Sequence, residues 1–230
     1  MAVDFRDEAP AILKDYLIYK QTIKNMSKKT VDEYFIDLRT FFRFLKVMRG
    51  LVPDGTEFDE IKIDDVDLDL IKTVNLELAY DYMNFLYRDR NNKSASRARK
   101  CSSLKGFFKY ITNNKHLLDT NPVEQLESPK NKKTLPKYLT LEQSIELLNA
   151  VDGNNKQRDY CILTLFLNCG LRVSEMAGLN YNDIHSDGTM RVVGKGNKER
   201  IVYLNSACID AYNEYMNCLL YTSDAADDKA

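Results

Sequence analysis

No run of apolar residues approaches the ~20 needed to cross a bilayer, so no membrane span is expected. The N-terminus Met1-Ala2-Val3-Asp4-Phe5-Arg6-Asp7-Glu8 carries acids where a secretory signal would have a basic start and a greasy core, so a cytosolic protein is expected. Histidine is scarce: His116 and His185 are the only two, with no ligand spacing, which argues against a zinc site. The five cysteines (Cys101, Cys161, Cys169, Cys208, Cys218) contain no C-x-x-C pair and are odd in number, and they read as free, reduced thiols. Without a partner histidine, Cys169 reads as packing. Net charge is nearly absent too, at −1, but the sum hides its distribution. Between Asp54 and Asp69 eight acids face Lys62 alone, a local net of −7 that leaves +6 for the remainder. For polyanion binding the distribution matters more than the total.

What is present is a chain of 230 residues with 44% hydrophobic content, enough for two globular domains. Residues 8–49 read as two helices. Leu13, Tyr16 and Leu17 mark the inner face of the first. Val31, Tyr34, Leu38, Phe41, Phe42 and Leu45 recur at helical spacing in the second, behind a Ser27-Lys28-Lys29-Thr30 cap with Glu33 at the capping-box position from Thr30. The acidic stretch after Pro53-Asp54-Gly55 reads as a solvated loop with a short helical piece. Leu76–Tyr87 and Ala95–Ile111 complete four helices, with Ser94 or Ser96 as the cap of the last. From Lys93 to Lys109 that region carries Lys93, Arg97, Arg99, Lys100, Lys105 and Lys109 with no acid, a cationic run suited to a duplex backbone.

Residues 113–137 read as a basic linker. It is interrupted by prolines and has four lysines within eight residues (Lys130, Lys132, Lys133, Lys137), so it could strap across phosphates. A second domain begins at Tyr138. Thr140 caps a helix with Gln143 at the box position and Leu141, Ile145, Leu147 and Leu148 expected inside. Arg158–Cys169 reads as a buried helix stopped by a left-handed Gly170. Helix resumes at Val173. From Met190 the period changes to two, and Met190–Val193 and Ile201–Leu204 predict an antiparallel hairpin around Gly194–Arg200, followed by helix over 205–217.

Two motifs focus this second domain. Asn168-Cys169-Gly170-Leu171-Arg172-Val173-Ser174-Glu175 sets an arginine just past a glycine turn. Gly194-Lys195-Gly196-Asn197-Lys198-Glu199-Arg200 sets a lysine between glycines at a hairpin tip. A guanidinium grips two phosphate oxygens in a fork, and an ammonium protonates a leaving alkoxide. Phosphoryl transfer wants both. Glu175 reads as a buttress of the arginine turn.

The two motifs, at this separation and after a basic helical domain and a Pro/Lys linker, resemble the tyrosine recombinase (phage integrase) family, near its Xer-like branch, over residues 8–217. The resemblance implies a mainly α fold with a small β-hairpin: a four-helix, SAM-like core-binding domain over 8–112, a linker over 113–137, and the N-terminal part of a mixed α/β catalytic domain over 138–217. It implies Arg172 and Lys195 as catalytic residues, a 3′-phosphotyrosyl intermediate, no metal or other cofactor, and double-stranded DNA and further recombinase protomers, as a tetramer on paired sites, as partners. Lys28, Lys29, Thr30, Arg97, Arg99, Lys100, Lys105, Lys132, Lys133, Lys198 and Arg200 are the expected DNA contacts.

The chain departs from the family after the hairpin. No histidine follows Lys195, no His-x-x-Arg segment is present, and Tyr203, Tyr212, Tyr215 and Tyr221 come too early to be named as nucleophile. Residues 218–230 resemble a sequencing adaptor translated in frame and are expected to be a non-native, disordered tail, the natural gene continuing beyond Asn217. The fragment is therefore expected to be inactive and poorly soluble. Two rivals stand beside the enzyme: a DNA-binding protein that keeps the clamp without the chemistry, and a helical interaction module using the acidic 54–69 stretch.

Overall fold

The computed structural model describes residues 5–130, 135–194 and 196–227, with the backbone alone at 6 and 220–227. The expected contacts Lys132 and Lys133 and the expected catalytic Lys195 lie outside the described residues. Cα packing divides the chain into two compact units, Met1–Thr134 and Leu135–Ala230. The fold is mainly helical with one two-stranded antiparallel sheet.

In the first unit, α1 (Phe5–Glu8), α2 (Ala11–Thr22), α3 (Lys28–Met48), α4 (Leu68–Lys72), α5 (Leu76–Arg88) and α6 (Ser94–Lys109) surround an aromatic core. Tyr16, Phe41, Phe42, Tyr82, Phe107 and Phe108 are fully buried. Phe41 meets Tyr82 at 5.1 Å and Phe42 meets Phe107 at 5.5 Å, both edge-to-face. Such pairs add ~0.5–1.5 kcal/mol each beyond the area they bury. A five-residue π-helical turn, Tyr110–Asn114, closes α6.

The expected cap of α3 forms at Ser27 without its box, and the expected cap of α6 does not form. Ser27 caps α3, its hydroxyl accepting from the Thr30 amide at 3.3 Å. Glu33 is drawn away to Arg99 at 2.7 Å, so no box forms at Thr30. Neither serine caps α6: its N-cap is Lys93, and the Ser96 hydroxyl donates to Asn92 instead.

The acidic stretch is more structured than its composition suggests. Ile61, Ile63, Val66 and Ile71 are buried between the acids. Asp59 takes Arg43 and Arg90, and Asp65 takes the Lys46 ammonium at 2.7 Å. Alternate apolar residues anchor the segment while neighbouring cations offset its charge. The expected linker also begins inside this unit. Val123 and Leu126 are fully buried, and the Leu126 carbonyl accepts from Lys105 at 2.9 Å.

The second unit holds α7 (Leu141–Asn149), α8 (Lys156–Cys169), α9 (Val173–Ala177), strands β1 (Thr189–Val193) and β2 (Glu199–Tyr203), and α10 (Ser206–Asp227). The strands pair antiparallel, Val192 opposite Arg200 and Val193 opposite Glu199. Gly196 (φ 76°) and Asn197 (φ 59°) turn the loop through two consecutive left-handed residues. This is the backbone a tight hairpin needs. The capping box at Thr140 and Gln143 forms as expected. Helix α10 continues through Asp227, where disorder was expected. Ala225 and Ala226 are strong helix formers and extend a helix already begun.

Burial here is thinner than the apolar pattern predicts. Leu141 on α7 is 72% exposed, and Ile145 and Leu147 are exposed with it. On α8 only Cys161, Thr164 and Leu165 are buried. An apolar groove lined by Cys161, Leu165, Phe166, Met176, Leu179 and Tyr212 stays open beside it.

Candidate phosphate-binding site

The second unit's site starts from a turn. Gly170 ends α8 in the left-handed region (φ 59°, ψ 37°), where a side chain is disfavoured. The chain then reverses and Arg172 becomes the N-cap of α9. Glu175, one turn in, folds back. One carboxylate oxygen accepts from the Arg172 backbone N–H at 2.9 Å and the other from Arg172 Nη1 at 2.6 Å. Leu171, just before Arg172, is buried in the small core with Leu165, Met190 and Val192.

From the hairpin, Arg200 completes the arrangement. Its Nη1 and Nη2 donate to Glu175 Oε1 and Oε2 at 2.9 and 3.0 Å, a bidentate fork. The Glu175 side chain is 1% exposed, that of Arg200 40%, and that of Arg172 70%. The buried carboxylate therefore holds two guanidiniums, and the Arg172 guanidinium still faces open space. Gly194 lies against this cluster: a Cβ there would sit 3.1 Å from Glu175 Oε1. The backbone of the residue immediately before Lys195 thus passes too close to the glutamate that anchors Arg172 to leave easy room for a side chain.

Hydrogen bonds from Arg200, then from the Arg172 backbone, hold the Glu175 carboxyl down at about 2. So acidic a carboxyl is a poor proton acceptor at neutral pH, which supports the buttress role over a base. The depressed value also sets a pH dependence. The ion pairs stabilise fully above the ordinary carboxylate range and are lost as pH falls through that range toward about 2. In urea titrations, wild-type protein is expected to lose more stability than Glu175→Gln between pH 5 and pH 2, and parallel losses would contradict the assignment.

The expected DNA contacts in the first unit separate into two groups. Lys100 is committed internally, and Arg99, although 43% exposed, is paired with acids. Both donate to Asp37, whose side chain is fully buried, at 2.7 and 3.0 Å, and Ser103 adds a third bond at 2.7 Å. Lys100 is itself buried, and Lys105 is tied to the Leu126 carbonyl. The unbroken basic pattern hid this division, because a buried acid on α3 leaves no mark on the sequence of α6.

The remaining group is at one end of the unit. The contacts Glu33–Arg99, Phe42–Phe107 and Phe41–Phe108 show that α3 and α6 run in the same direction. Their N-termini, with exposed Lys28, Lys29 and Lys93 and half-buried Thr30 and Arg97, therefore share that end. Arg97 is stacked on Tyr87 at 4.6 Å. Helix N-termini and lysines together suit phosphate oxygens. Lys198 is exposed on the hairpin of the second unit.

Comparison with known proteins accounts for nearly the whole chain. Residues 13–115 match the phage integrase N-terminal SAM-like domain, and residues 137–227 match the phage integrase family. Tyrosine recombinase XerC of Caldanaerobacter subterraneus subsp. tengcongensis is 50% identical over 207 residues, covering 90% of this chain and 58% of the relative. XerC of Myxococcus xanthus is 34% identical, covering 89% and 62%. The chain thus spans roughly three fifths of the length of these relatives. In fold it is similar to XerH site-specific recombinase bound to a palindromic difH substrate (TM-score 0.59, 18% identity, 89% of this chain and 56% of that one). It is also similar to a lambda integrase dimer bound to a COC′ core site (TM-score 0.56, 18% identity, 83% and 62%). With its helical first unit, its arginine turn and its hairpin all accounted for, the chain belongs to the phage integrase, or tyrosine recombinase, family.

Proposed function

We propose that this chain supplies the DNA-clamping and phosphate-activating part of a site-specific DNA recombinase that cuts and rejoins strands through a 3′-phosphotyrosyl intermediate. The observation that carries the proposal is the Arg172–Glu175–Arg200 cluster. It fixes an arginine whose guanidinium, anchored through Nη1, is largely exposed, on the same carboxylate that the hairpin bearing Lys195 meets through Arg200. In the reaction a tyrosine oxygen forms a bond to phosphorus as the bond to the 5′-oxygen breaks. Charge gathers on the non-bridging oxygens, and the Arg172 fork stabilises it there more than in the ground state. Lys195, from the glycine-flanked loop, gives its proton to the departing 5′-oxygen. Transesterification keeps the bond energy, so the strand can be resealed.

The partners are double-stranded DNA and further protomers, acting in the cytoplasm. We assign no tyrosine of this chain as nucleophile, and the 230-residue chain is expected to form no covalent adduct with a nicked suicide duplex. It should still bind mixed-sequence duplex through Lys28, Lys29, Lys93 and Arg97 of the first unit and Arg172 and Lys198 of the second. Gel shifts between 50 and 200 mM salt should lose about a thousandfold in affinity if all six cations neutralise a phosphate, since each contributes a slope of about −0.9. Salt-independent affinity, or none at 50 mM, would favour an interaction module over a DNA clamp.

A further inference from the structure

Arg200 has the charge and position of a phosphate contact, yet its fork is already used. Both terminal nitrogens reach both oxygens of Glu175. The same two oxygens accept from Arg172, once from the side chain and once from the backbone. Four charge-assisted or backbone bonds converge on one carboxylate buried to 1%. Arg200 lies on β2 opposite Val192, which is packed in the unit's core, so its backbone is fixed by the sheet. Gly194 allows β1's end to approach the same carboxylate, where a Cβ would meet Oε1 at 3.1 Å.

We infer that Arg200 is a positioning residue, which acts through Glu175 to fix the Arg172 fork and to register the hairpin tip against it, rather than a group that touches DNA. The inference rests on the reading of Arg172 as the phosphate-binding arginine. A guanidinium is required, since a lysine has one point charge and cannot span both oxygens. Removing Arg200 leaves a buried carboxylate with one counter-ion, and Arg172 is then drawn inward or loses its fixed orientation.

The test uses the 230-residue chain and a 30-base-pair mixed-sequence duplex. Affinity is measured against salt for Arg172→Ala, Arg200→Ala, Arg200→Lys and the Arg172→Ala/Arg200→Ala pair. If Arg200 acts through Arg172, each alanine variant lowers the salt slope by about 0.9 and the pair lowers it by no more than either alone. If Arg200 holds its own phosphate, the pair lowers the slope by about 1.8, and the inference fails.

Carboxyl carbon NMR of Glu175 gives a readout independent of DNA. Its midpoint should rise from about 2 toward the ordinary carboxylate range in Arg200→Ala. Arg200→Lys should restore the midpoint in part but not the duplex affinity, and it serves as the folded variant if the alanine protein does not fold. An unchanged midpoint in Arg200→Ala, or in Arg200→Lys where that variant stands in, overturns the inference whatever the DNA result. If Arg172→Ala leaves duplex affinity untouched, the phosphate reading of Arg172 is what fails, and the Glu175 midpoint still decides the link to Arg200.

Discussion

Arg172→Ala is expected to lower the rate of covalent strand cleavage by about a hundredfold to a thousandfold, the usual loss when one preorganised donor to a developing oxyanion is removed. On the proposed reading no tyrosine of this chain serves as nucleophile, so one is supplied. A chimera serves, with residues 1–217 of this chain followed by the remaining C-terminal part of the Caldanaerobacter XerC. Its half-identity to this chain makes the junction tolerable. Adduct formation on a nicked suicide duplex is followed at saturating protein, so that the loss is read in the chemical step rather than in binding. Arg172→Lys should recover little, since one ammonium cannot bind two oxygens in a plane. A chimera that binds duplex, forms no adduct and is indifferent to Arg172 would point to a clamp without chemistry. The alanine change should cost less in stability than in rate, because the guanidinium is mostly exposed and Glu175 keeps its partner Arg200.

The second large effect is in the first unit. Asp37→Ala should destabilise that unit by about 3–5 kcal/mol, the typical result of removing one side of a buried ion pair. Asp37 is fully buried and satisfies Arg99, Lys100 and Ser103 together. Once it is gone, Arg99 can still turn to Glu33 or water. Lys100, at 9% exposure, keeps the Thr40 hydroxyl, at 3.5 Å, as its remaining hydrogen-bond partner among the described residues. Urea unfolding followed by circular dichroism gives the midpoint shift. Lys100→Met in the Asp37→Ala background should recover part of the loss, since it removes the orphaned charge and keeps the stem's packing. If Asp37→Ala proves neutral, the network is not what docks α6 on α3. Lys100→Ala should weaken DNA binding no more than its effect on folding requires, whereas Lys28→Ala or Lys29→Ala should lower the salt slope without moving the unfolding midpoint.

Local chemistry carried much of the fold into the sequence. The stripe of Leu38, Phe41, Phe42 and Leu45 lies inward in α3, Thr140 and Gln143 make their box, Gly170 adopts a left-handed stop, and period-two runs pair as β1 and β2. Each of these depends on neighbours within a few residues, so composition and spacing suffice. The arginine turn and the hairpin were legible for the same reason.

What the sequence could not determine was which charges are spent. Arg99 and Lys100 look like part of one cationic run until Asp37, more than sixty residues earlier, is packed beneath them. Arg200 looks like a phosphate ligand until the hairpin folds back and its fork meets Glu175. The acids at 59 and 65 stay solvated, as the composition suggests, but only packing shows that Arg43, Arg90 and Lys46 pair with them. Formal charge belongs to a residue, but whether that charge faces water or a buried partner depends on long-range packing, where desolvation makes an unpaired ion costly. The sequence by itself determined the elements and the residue types at the site. Only the tertiary structure decided that Glu175 holds both Arg172, whose guanidinium stays 70% exposed, and Arg200, and that Asp37 holds Lys100, because Arg200 and Asp37 reach those partners from elements far away along the chain.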